Sequence, residues 1–97
     1  MEIEDAFDQI AMRLQAASGR GVKPSTRVSG DDWVCSIDES GDKFVIIAKA
    51  NELLLVSLRP TMGEPEIDRI VADGYKQQDV IERIRQAVAA AYGAPVQ

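Results

Sequence analysis

Residues 44–58, FVIIAKANELLLVSL, are apolar in both of their alternating registers, and Lys49, Asn51, Glu52 and Ser57 are the only polar side chains among them. A strand with one face in water alternates apolar and polar residues, so a strand apolar on both sides calls for cover from both. At 97 residues the chain is long enough for one domain, 1–97, with a single core, and short for a sheet with a full layer on each face. Something must cover a second apolar face.

The flanking segments supply one layer. Ile3, Phe7, Ile10, Ala11, Leu14 and Ala17 recur at helical spacing, with Glu2, Glu4, Asp5 and Asp8 at the positive end of the helix dipole. Gly19, in the left-handed conformation, and Pro24 end this helix. Residues 20–30 read as a loop with room for a short edge strand at 27–29. From Trp33 the period becomes two, and DESGD supplies a turn. Strands at 44–50 and 53–59 follow, joined at Asn51 and Glu52 and ended by Pro60. In residues 64–71, Pro65 suits a first helical turn, Ile67, Ile70 and Val71 lie at i, i+3 and i+4, and Gly74 lies beyond, which predicts a short helix with a fourth strand as the alternative. Val80, Ile81, Ile84, Ala87, Val88 and Ala91 make one stripe of a last helix over 77–92, closed by Gly93 and Pro95. The order α-β-β-β-α-α predicts an α+β, two-layer domain: an antiparallel meander of three to four strands flanked by N-terminal and C-terminal helices.

With hairpin centres at Ser40-Gly41 and Asn51-Glu52, one sheet face holds Trp33, Cys35, Ile37, Phe44, Ile46, Ala48, Ala50, Leu53 and Leu55, with Trp33 opposite the small Ala48. That aromatic-bearing face is the one expected under the helices. The other holds Val34, Ser36, Val45, Ile47, Lys49, Leu54, Val56 and Leu58. Its aliphatic residues would expose roughly 300 to 500 Å² of apolar surface, at or above what monomers usually tolerate. Covering that area yields on the order of 8 to 12 kcal/mol before entropic costs. Three covers are open: the short helix folded beneath the sheet, a homodimer packed face to face or edge to edge, or a hetero-partner or apolar ligand.

Composition excludes more chemistry than it offers. A net charge of -5 leaves no basic footprint for nucleic acid or an anionic membrane. The N-terminus MEIEDAFDQI lacks the basic and apolar regions of a signal peptide, which points to the cytoplasm. There is no histidine and a single cysteine, so neither a zinc site built from those ligands nor an internal disulfide is available. Cys35 falls on the helix-facing side of its strand and reads as a buried structural thiol. Asp31, Asp32, Asp38, Glu39 and Asp42 flank the same strand, but DESGDK departs from the EF-hand spacing and reads as solvated turn residues. Residues 19–26, GRGVKPST, lack phosphate-loop spacing; Arg20, Lys23 and Arg27 make that loop a basic island able to meet an acidic partner or the acidic first helix. Asp79 with Arg83 and Glu82 with Arg85 are spaced as surface pairs along the last helix.

No catalytic, metal-binding or cofactor-binding residues emerge, and no cofactor is expected. The expectation is a non-enzymatic interaction module, adaptor-, chaperone- or immunity-like, homodimeric and open to a protein partner through Val34, Val45, Ile47, Leu54, Val56, Leu58 and Arg59. The alternative is a small-molecule-binding domain or minor enzyme, in which Arg59 at a strand end orients a ligand carboxylate beside the acidic residues.

Overall fold

Helix α1, Ile3–Ser18, forms where the sequence periodicity places it and buries Ala6, Phe7, Ile10, Leu14 and Ala17 along one stripe. The computed structural model describes residues 1–39, 41–59, 63–71 and 76–93. Ser40, Pro60, Gly74 and Pro95, which serve as turn and stop signals in the sequence, lie outside them. Helix α1 stops before Gly19 as expected, but the left-handed glycine that closes it falls two residues later. Gly19 keeps right-handed geometry at φ -64, and Gly21 makes the turn at φ 76. Val22 N–H then donates to the Ala17 carbonyl and Gly21 N–H to that of Ser18, each at 3.1 Å, the two bonds of a Schellman ending.

Five strands follow among the described residues: β1 Ser25–Ser29, β2 Asp32–Glu39, β3 Asp42–Ala48, β4 Glu52–Leu58 and β5 Glu66–Val71, then helix α2, Gln77–Tyr92. They form one sheet in the order β1-β2-β3-β4-β5, and every neighbouring pair is antiparallel. The domain is therefore α+β, with five strands in place of three or four.

The added strands come from the two chain segments that the sequence leaves open. β1 realises the edge strand expected near 27–29. At 66–71 the short helix is overturned by β5, because an isolated helix of this length is costly to nucleate while β4 presents a row of unpaired backbone groups. β5 satisfies that row, and its β-branched Ile67, Ile70 and Val71 suit a strand. Ile70 then enters the core opposite Leu53.

The β2–β3 register sets Trp33 opposite Ala48, Cys35 opposite Ile46 and Ile37 opposite Phe44, as the size match predicts. Between β3 and β4 the pairing slides by two residues: Ala48 faces Leu53, and Lys49 N–H donates to the Glu52 carbonyl at 2.9 Å. The loop centre is thus Ala50-Asn51 instead of Asn51-Glu52. Because side chains alternate with period two, a slide of two leaves each residue on its assigned face.

Both helices lie on one side. Phe7, Ile10 and Leu14 of α1 and Val80, Ile84 and Val88 of α2 share a single core with Trp33, Cys35, Ile37, Phe44, Ile46, Leu53 and Leu55. The helices run side by side in the same direction, Glu4 in the first turn of α1 meeting Arg83 in the first half of α2 and Gln15 lying near Ala91 towards their ends. Arg83 donates to both Glu4 carboxylate oxygens, at 2.7 and 3.0 Å, and lies 4.0 Å over the Phe7 ring. Arg83 therefore bridges α1 and α2, where spacing alone pairs it with Asp79 on its own helix, and its hydrogen bond lowers the Glu4 carboxyl below its usual range. α2 closes at Gly93, left-handed at φ 71.

Candidate functional site

The sheet face away from the helices can be laid out from the strand registers as rows running across the sheet. The central row reads Arg27, Val34, Ile47, Leu54, Arg69 from β1 to β5. The row on the side of the β2–β3 turn reads Ser25, Ser36, Val45, Val56, Ile67, and beyond it lie Asp38, Lys43 and Leu58. On the opposite side Asp32 and Glu52 flank Lys49, which follows the end of β3. Val34, Val45, Ile47, Leu54, Val56 and Leu58 thus occupy one face, as the sequence pattern indicates, and no helix lies against it among the described residues. The reading that a short helix covers this face fails with the helix itself.

β5 extends the patch. Ile67 beside Val56 and Val71 beside Glu52 are 53% and 64% exposed. The sequence pattern assigns neither to this face, because it reads their segment as helical. Val34 and Leu54 are nearly buried without a covering layer. Each has an arginine on the neighbouring edge strand, Arg27 or Arg69, whose aliphatic stem can lie along it while the charge stays in water. Val45, Ile47, Val56 and Leu58 remain partly exposed. The charges at the margin are paired: Lys49 Nζ lies 3.5 Å from Asp32 Oδ2, and Arg69 Nε 3.6 Å from Glu52 Oε2. The result is an aliphatic surface with a charged border.

Arg59 is elsewhere. Just past β4, it lines an indentation of about 260 Å³ on the helix side, with Gln9 and Arg13 of α1, Phe44, Ser57, Glu66 and Asp68. Two arginines and two carboxylates surround one aromatic ring there.

The remaining candidates resolve into structure. Cys35 is fully buried, and burial pushes its thiol up from 9.0 to about 11, opposite to what a nucleophile needs. The folded state therefore holds the thiol proton longer than the unfolded state does. The stability this confers is complete below about pH 9 and is lost as pH rises towards 11. Relative to Cys35→Ala, the wild-type protein should lose on the order of 2 kcal/mol more across that interval in urea titrations. A thiol-reactive dye should label it only once the protein is unfolded.

The acidic residues of β2 do not converge. Asp32 lies at one end of the strand and Glu39 at the other, and no group of metal-binding side chains forms among the described residues. Glu39 is also not a solvated turn residue: only 5% exposed, it shares the inward parity of Ile37 and lies under the end of α1. Arg20 Nη1 donates to its Oε2 at 3.2 Å, and Arg13 Nη2 approaches the same oxygen at 3.6 Å. The basic island thus serves the protein's own fold at Arg20. Tyr92 closes the same region, its phenol raised first by burial and then by the Glu39 charge.

No family model, no curated protein and no solved structure matches this chain. Among the described residues no helix is long and apolar enough to cross a membrane.

Proposed function

We propose that this chain is a small, non-enzymatic, cytoplasmic interaction module of adaptor, chaperone-like or immunity-like kind, which binds protein through the outer face of its sheet. The observation that carries this reading is the aliphatic patch on the helix-free face, in which partly exposed Val45, Ile47, Val56 and Leu58 surround the nearly buried Val34 and Leu54 and exposed Ile67 extends them. In a packed core these side chains would be ordinary, but on an open face they form a contiguous aliphatic surface of the kind that marks an interaction site. The patch is also preformed, since backbone pairing on both sides fixes every central strand that contributes to it.

Val56→Lys places an ammonium in the middle of the patch and alters no core contact. The variant should unfold within a few degrees of the wild-type midpoint and lose whatever the patch does. If wild-type chains associate, association should weaken tenfold or more, because the lysine would have to be desolvated in an apolar contact. If they remain monomeric, the native protein should bind a hydrophobic fluorescent dye and the variant should not. A monomer that binds no dye, or a variant indistinguishable from wild type in both assays, would remove the basis for this function.

A second reading has one observation in its favour, the indentation at Arg59. Its two arginines and two carboxylates around Phe44 suit a small zwitterion, with Arg59 taking a carboxylate and Glu66 or Asp68 an ammonium. Ligand-induced thermal stabilisation that disappears in Arg59→Ala is the outcome that would favour it.

A further inference from the structure

Resting on the interaction reading above, we infer that the occupant of the outer face is a second copy of this chain, packed sheet on sheet about a two-fold axis running along the strands between β3 and β4. Five strands about 4.8 Å apart make a face some 24 Å across, and the four rows of side chains span about 20 Å along the strands. An axis between β3 and β4 overlays four of those strands, β2 to β5, so the two faces bury about 800 Å² in total, the size of a weak, concentration-dependent contact.

The border charges and the apolar rows together select the axis. A two-fold axis between β3 and β4 exchanges those strands, so Ile47 meets Leu54 of the other copy, Val45 meets Val56, and Lys49 meets Glu52, with each contact made twice. An axis running across the strands through the middle of the patch instead sets Asp32 against Asp38 and Lys49 against Lys43, and like charges so placed oppose association. An axis between β2 and β3 matches Lys49 with Asp32 and Lys43 with Asp38, but it lays Val45 on Ser36 and Leu54 on Arg27 and keeps one apolar pair, Ile47 on Val34, where the axis between β3 and β4 keeps two.

The sheet edges discriminate against the other symmetric dimer. Antiparallel pairing of β5 with its own copy must keep each face continuous, which restricts the register to same-parity partners. The two registers that pair the most residues put Asp68 opposite Asp68 or Arg69 opposite Arg69. Full pairing of β1 with its copy puts Arg27 opposite Arg27. Directly opposed like charges destabilise a strand pair and protect an edge from extension. The face is apolar where the edges are guarded.

The test uses charge-reversed variants, singly and mixed, with molar mass measured by light scattering behind size exclusion over a range of concentrations. The wild-type chain should pass from monomer to dimer mass as its concentration rises. Lys49→Glu and Glu52→Lys should each dimerise about tenfold more weakly, since each replaces two attractive contacts by two repulsive ones. An equimolar mixture of the two should recover wild-type dimerisation. In the heterodimer the introduced glutamate of one chain meets the introduced lysine of the other, and the native Glu52 of the first meets the native Lys49 of the second. Effects inside each protomer are the same in the mixture as alone, so recovery can come only from contacts between copies. A mixture no better than its components, or recovery when Lys49→Glu is mixed with Asp32→Lys instead, would overturn this arrangement. A wild-type chain monomeric at every concentration would overturn the second copy as occupant, and dye binding by that monomer would leave the interaction reading standing.

Discussion

Truncating Ile46 to alanine is expected to cost about 3 kcal/mol, while the same truncation at its neighbour Ile47 costs about 1 kcal/mol or less. The two residues are adjacent, chemically identical and in the central strand. What separates them is the face. Ile46 is fully buried between Cys35 and Leu55 under both helices, so its truncation leaves a cavity that close-packed neighbours cannot fill. Ile47 points the other way, between Val34 and Leu54, where water can occupy the space it vacates. Urea denaturation in the Val56→Lys background measures the difference without a contribution from association. For a domain of this size the larger loss lowers the midpoint of thermal unfolding by roughly 15 °C. Equal costs at the two positions would mean that the outer face is as tightly covered as the core.

The same pair shows what can be read from sequence. Alternation divides Ile46 from Ile47 in any hairpin register that preserves parity, so the composition of both faces survives the two-residue slide at Ala50-Asn51. Helices α1 and α2 are equally legible, since their apolar stripes repeat over four turns and need no knowledge of partners. The strand β5 is not. Ile67, Ile70 and Val71 fit a helical stripe as well as a strand, and in so short a segment the choice falls to the unpaired edge of β4, which is a tertiary fact. With the helix goes the possibility of an internal cover for the patch, and with the strand come Ile67, Val71 and the arginine beside Leu54.

The candidate site divides in the same way. Its six aliphatic residues follow from alternation, but Arg59 joins them in the sequence only because it ends the strand, and its parity turns it towards α1. The spacing of Asp79 and Arg83 suggests a pair within one helix, yet Glu4 on α1 supplies two oxygens in the geometry a guanidinium prefers. Glu39 is the least visible residue of all. Within DESGD it resembles its exposed neighbours, and only the position of the α1 terminus distinguishes it.

Replacing both Arg13 and Arg20 by methionine should destabilise the protein by about 3 kcal/mol, whereas Glu39→Met should change stability by less than about 1 kcal/mol. The asymmetry follows from exposure. The Arg20 side chain is 61% exposed, against 6% for that of Glu39. If Glu39 is removed, Arg20 has water at hand and Arg13 keeps its position 5.5 Å over the Phe44 ring. If the arginines are removed, a carboxylate remains buried beside Tyr92 with nothing to offset its desolvation. A methionine at position 39 presents no such charge, so the arginine substitutions should cost little when made together with Glu39→Met. Equilibrium denaturation of the wild type, the double variant, Glu39→Met and the triple variant completes the cycle. If the arginine substitutions cost the same in both backgrounds, their stems hold the end of α1 by packing alone. A cost that vanishes with Glu39 assigns the closure of α1 over the β2–β3 hairpin to one buried charge and the two cations that reach it.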